Sequence, residues 1–138
     1  MTMCIRKKTI KVGVAAGIVG AIVSIILSMA FSGVTGPLFA ENQALWKSWS
    51  APEMYLMWLV PIWAGVFMAW FYANMDRKSP IVRCWCWYGF YIWLFVGLPG
   101  MLMTYSSFAI SAALVGLWSI SGLVEYMAMA WVIERMRP

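Results

Sequence analysis

Long apolar runs separated by short polar breaks set the pattern of this chain. The runs at residues 12–31, 55–75, 85–103 and 108–133 each reach about 20 residues. At about 1.5 Å of rise per residue, a helix of that length crosses a roughly 30 Å hydrocarbon layer. The pattern predicts an all-α fold: a transmembrane four-helix bundle with short loops, forming a single domain over residues 1–138.

The breaks are equally informative. Gly36-Pro37 predicts the end of the first helix. The stretch FAENQALWKSWSAPE follows, and its Leu45, Trp46 and Trp49 fall at helical spacing suited to lying along an interface. Ser50-Ala51-Pro52-Glu53 reads as a capping box at the start of helix two. Pro61 is expected to bend that helix by removing a hydrogen bond. In the turn MDRKSP, Ser79 is suited to cap helix three with Pro80 at its first position. GLPG, from Gly97 to Gly100, is expected to kink or loosen helix three near its outer end. Only TYSSF separates helices three and four, which predicts a tight antiparallel hairpin.

Helix one carries two ladders of small residues, Gly13/Gly17/Ala21 and Ala16/Gly20/Ser24/Ser28/Ser32. Small side chains four apart let another helix approach closely. The predicted helix-packing residues are therefore Gly13, Gly17, Gly20, Ser24 and Ser28. Ser28-Met29-Ala30 also resembles a signal-peptidase site after a basic N-terminus. The length of the apolar run and its ladders favour a retained span.

Composition agrees with the pattern: the chain is 64% hydrophobic and 11% charged, a balance unsuited to a soluble domain of this length. Charge adds orientation. Arg6, Lys7, Lys8 and Lys11 precede the first run, Arg77, Lys78 and Arg83 lie between the second and third, and Arg135 and Arg137 follow the fourth. Only Lys47 falls on the other side. Basic residues near span ends are retained inside the cell, so both termini are expected in the cytoplasm and the protein in a bacterial-type inner or plasma membrane. The net charge of +5 then reflects topology and anionic lipid, and no nucleic-acid partner is expected.

The residues exclude much chemistry. There is no histidine, which removes histidine-ligated haem, the common histidine-containing zinc sites and Ser-His-Asp hydrolysis. No phosphate-binding glycine loop and no paired-carboxylate spacing occur. No catalytic residue, metal site or cofactor is expected. Cys4, Cys84 and Cys86 all fall on the predicted cytoplasmic side, where thiols stay reduced. RCWCW lacks both further metal ligands and the C-x-x-C spacing of a thiol oxidoreductase. Its cysteines are read as structural or incidental.

The tryptophans divide by depth. Trp46, Trp49 and Trp58 mark the outer interface, and Trp85, Trp87 and Trp131 the inner one. Trp63, Trp70, Trp93 and Trp118 lie deeper, and are read first as core packing.

Glu125 is the exception to this bland inventory. It stands roughly 15 Å into the fourth run from Arg135, where a charged side chain costs about 2.5–3.5 kcal/mol on insertion scales. Ser121, Gly122, Ala128 and Met129 share its helical face, with Trp118 two turns outward, while Leu123 and Met127 occupy the opposite side. Depth matching offers Trp93 on helix three and Ser24 on helix one as hydrogen-bonding neighbours. Removal from water favours the neutral acid. Three roles stay open: a structural acid, a carrier of protons or cations, and a contact with another subunit.

The run WYGFYIWLFVGLPGMLMTYSSF and the following LWSISGLVEYMAMAWVIERM resemble the second half of uncharacterised small four-span prokaryotic integral membrane proteins. Gly89, Gly97, Pro99, Trp118 and Gly122 carry the likeness. It implies fold and membrane location and no particular activity. Small multidrug exporters share the size and the single membrane acid, but theirs lies in the first span. The expectation is a non-enzymatic accessory bundle packing with itself, as a homo-oligomer, or with a larger membrane complex. The alternative is a small homo-oligomeric transporter or channel with Glu125 as its coupling acid.

Overall fold

The computed structural model describes residues 7–41, 51–52, 55–76 and 79–138. Their regular structure is helical throughout. Five α-helices follow one another: α1 (Lys7–Ala30), α2 (Ser32–Glu41), α3 (Tyr55–Asn74), α4 (Trp85–Ser107) and α5 (Ala112–Met136). All but α2 are long and apolar enough to cross a membrane, which fits a multi-pass membrane protein.

The helix ends differ from the expected ones in ways the local chemistry explains. The first helix breaks at Phe31, not at Gly36-Pro37. The carbonyl of Phe31 accepts from Val34 N and Thr35 N, both at 2.9 Å, and from Thr35 Oγ1 at 3.0 Å, starting a new helix that contains Pro37. Ser79 caps a short 3₁₀ turn, Pro80–Val82, and Cys84 is the residue that precedes α4. Pro61 lies within an unbroken α3. Leu45, Trp46 and Trp49, and Ser50 and Glu53 of the expected capping box, lie outside the described residues.

Near GLPG the helix neither stops nor unravels. Residues Trp93–Gly97 widen into a π-helical turn, and Leu98 N bonds back to Trp93 O. Pro99 has no N–H and its ring crowds the carbonyl four residues earlier; one wider turn absorbs that misfit while the span continues to Ser107. The fourth span begins at Ala112, where the Ser111 hydroxyl accepts from Leu114 N at 3.3 Å.

The spatial order of the spans is α3–α1–α5–α4, with α1 and α5 in the centre. The two ladders of α1 serve two different neighbours. Gly13 and Gly17 meet α3 around Gly65: a Cβ at Gly17 would lie 2.7 Å from the Pro61 carbonyl oxygen. Gly20 faces the Met129 side chain on α5. On the far side of α5, a Cβ at Gly89 would lie 2.8 Å from Met127 Cα, so α4 and α5 also touch backbone to backbone. Met127 thus belongs to a helix interface, and the open face of α5 carries Ile120, Val124 and Trp131. Ser28 is exposed, so within this chain the second ladder stops contributing to packing beyond Ser24.

Two apolar clusters result. The larger gathers Val12, Ala16, Met68, Ala69, Tyr88, Ile92, Met129 and Ile133. It lies at the end bearing the exposed Lys7, Lys8, Lys11, Arg83, Arg135 and Arg137, called here the basic end. The smaller joins Ile110, Leu114 and Val115 to Leu38 and Phe39 of α2 at the other end.

Cys84 and Cys86 are joined as a disulfide, which corrects the reading of both as reduced thiols. In a continuous helix, side chains two apart diverge by more than half a right-handed turn. Cys84 is extended (φ −140°, ψ 137°) and stands outside the helix, so its side chain departs from the helical direction and meets that of Cys86, with the Cα atoms 5.4 Å apart.

Candidate functional site

Glu125 lies at the middle of α5, half-buried, on the face turned to α1. Ser24 of α1 is the polar side chain that meets its carboxyl group. The reason is geometric. The close approach allowed by Ala16 and Gly20 brings α1 within side-chain reach one turn farther on, where a serine follows the glycine. Among the described residues every lysine and arginine lies toward the ends of the spans, and the carboxyl meets a neutral partner in Ser24.

The other sequence-selected neighbours are engaged elsewhere. Trp93 Nε1 donates to the Ser119 carbonyl at 2.9 Å. Its indole edge lies near Gly97 and Gly122, whose missing side chains leave it room between α4 and α5. Trp118 belongs to the smaller cluster and tilts against Phe39, with ring centroids 5.9 Å apart. Ser121 is half-buried one turn from Glu125. The structure therefore brings Ser24 and Glu125 together, and uses Trp93 and Trp118 to dock helices.

Two polar contacts at the basic end were not anticipated. Tyr88 is fully buried and donates to the Met68 carbonyl at 2.6 Å, bridging α4 to α3. Its ring meets Tyr72 edge-on at 5.2 Å. Glu134 Oε2 accepts from Trp85 N at 2.8 Å, placing a carboxylate at the start of α4, where helix N–H groups point outward. A tyrosine in an aromatic-rich run gives no sequence signal of this kind. Glu134, near the end of one span, could have been matched to the start of a neighbouring one.

Tyr88 links α3 and α4 at the basic end. Between them opens an apolar cleft of about 480 Å³ lined by Leu59, Trp63, Phe67, Ile92, Val96 and Tyr126. No group of three or more metal-ligating side chains occurs among the described residues.

No family model, curated protein or solved structure matches the chain.

Proposed function

We propose that this protein is a non-enzymatic, multi-pass membrane protein, an accessory bundle in which Glu125 acts as a structural acid. The observation that supports this reading is the meeting of Ser24 on α1 with Glu125 on α5. A neutral carboxylic acid both accepts and donates, so it links two helices without requiring a cation or bulk water. The proposed assembly is a homo-oligomer or a larger membrane complex, in an inner or plasma membrane, with lipid as the surrounding partner. The many apolar side chains exposed along α3 and the outer half of α4 suit either lipid or another helix.

Both termini are proposed to lie in the cytoplasm, because the basic end gathers charges that resist translocation. A single cysteine introduced in the turn at residues 76–83 is expected to react with membrane-impermeant maleimide only from the cytoplasmic side. Labelling from outside intact cells overturns this topology.

A second reading draws on the half-buried state of Glu125 at the level where the close packing of α1 ends. A carboxyl group not sealed between helices suits an acid that carries protons or cations. Two variants separate the readings. Glu125→Gln keeps shape and hydrogen bonding, and is expected to fold and assemble like the parent. Glu125→Leu leaves the Ser24 hydroxyl unpaired and is expected to lose about 1–3 kcal/mol in detergent unfolding. A Glu125→Gln protein that assembles normally but loses a pH-dependent flux in proteoliposomes would overturn the structural reading.

A further inference from the structure

Cys84 and Cys86 stand at a boundary where two observations conflict. They are joined to each other, yet they lie at the basic end, which is proposed above to face the cytoplasm. Cytosolic glutathione and thioredoxin keep thiols reduced, and disulfides that form there are mostly transient, catalytic or redox-sensing. A pairing that is reversible satisfies both observations.

We propose that Cys84 and Cys86 are a redox-modification site, a dithiol–disulfide pair that exchanges with low-molecular-weight thiols and disulfides at the basic end. The backbone around the pair is held by bonds that do not involve sulfur. The Cys84 carbonyl accepts the N–H of Tyr88 at 3.0 Å. The N–H of the intervening Trp85 goes to Glu134 on α5 at 2.8 Å, and the Trp85 side chain packs against the larger core. These contacts do not depend on the S–S bond, so they hold the two thiols side by side after reduction. Both cysteines are half-buried rather than sealed in the core, and exchange requires such access.

The chemistry balances without a metal or cofactor. One cysteine thiolate attacks a sulfur of oxidised glutathione, forming a mixed disulfide and releasing one glutathione thiolate. The second cysteine thiolate attacks the bound cysteine sulfur and releases the other glutathione. Two electrons pass from the pair to the small disulfide, and the two thiol protons pass to the released glutathiones. Reduction reverses each step.

This assignment rests on the proposed topology, and the experiment separates the two. The full-length Cys4→Ser protein is placed in membrane vesicles of known orientation, and its free thiols are counted with a maleimide that shifts it on a gel. Reduced glutathione is expected to expose both thiols, oxidised glutathione to hide both, and reduced glutathione to restore them. In a Cys4→Ser/Cys84→Ser companion, Cys86 is expected to hold glutathione as a lasting mixed disulfide, because the resolving thiol is gone. Two free thiols in every buffer would overturn the proposal, as would a disulfide that glutathione reduces only after the protein is unfolded. Impermeant reagents that reach the pair only from the side opposite the cytoplasm would instead overturn the topology on which it rests.

Discussion

The two ends of the bundle are built from the same apolar helices and packed very differently. At the basic end Gly13, Gly17, Gly65 and Gly89 bring backbones into contact, Tyr88 ties α4 to α3, and Glu134 holds the start of α4. At the other end α1 carries an exposed Ser28, α3 exposes every side chain from Tyr55 to Val60, and α4 widens through its π-turn. Hydrophobicity cannot account for the difference, because lipid tails solvate leucine and tryptophan as well as another helix does. Close approach and polar ties decide which halves of the spans adhere. Glu125 and Ser24 lie at the transition, where α1 meets α5.

The contrast between the ends can be broken most severely at the backbone contacts. Gly17→Leu or Gly89→Leu should separate helices whose opposing backbone cannot move aside, costing several times as much as Gly33→Leu or Gly100→Leu, where nothing stands within 4 Å of the added Cβ. Overpacking of this kind typically costs about 1–3 kcal/mol or more. Thermal unfolding in mild detergent measures it, and equal tolerance at all four positions would show that the two ends do not differ. Gly20→Leu should fall between, because its obstacle is the flexible Met129 side chain.

A smaller effect tests the polar tie at the dense end. Tyr88→Phe removes one hydrogen bond and keeps the ring, so about 0.5–1.5 kcal/mol is expected to be lost. Tyr105→Phe, at an exposed position of the open end, should change nothing measurable. Matching losses at the two positions would contradict a special role for Tyr88.

The smallest change should have the opposite sign. Gly116 lies inside α5 with open space about it, and Gly116→Ala should raise stability by up to about 1 kcal/mol through helix propensity. A loss at this position would mean that another helix, from a second copy or a partner, approaches α5 there.

Much of this architecture was legible beforehand. The apolar runs located four spans because the length of a membrane-crossing helix is set by the bilayer and the period of the backbone. The ladders on helix one marked it as a close-packing element for the same reason: small residues four apart share a face. Proline and glycine located the irregularity in helix three, while its form as a π-turn came from how the chain accommodated Pro99 without ending the helix.

Tertiary structure alone assigned the partners. Nothing along the chain says that Gly13 and Gly17 serve α3 while Gly20 serves α5, since both neighbours present apolar faces. Depth matching nominated both Trp93 and Ser24 for Glu125. The fold chose Ser24, because α1 crosses α5 at the glycine contact and Trp93 is turned to the Ser119 carbonyl. The cysteine pairing likewise depended on Cys84 standing just outside the helix, a difference of one residue in where α4 begins. The sequence by itself determined where the four long apolar helices run and the order of side chains along each, because both follow from position along a single helix. Which side chains meet depends on how those helices rotate and cross, and that is decided only when all of them pack at once.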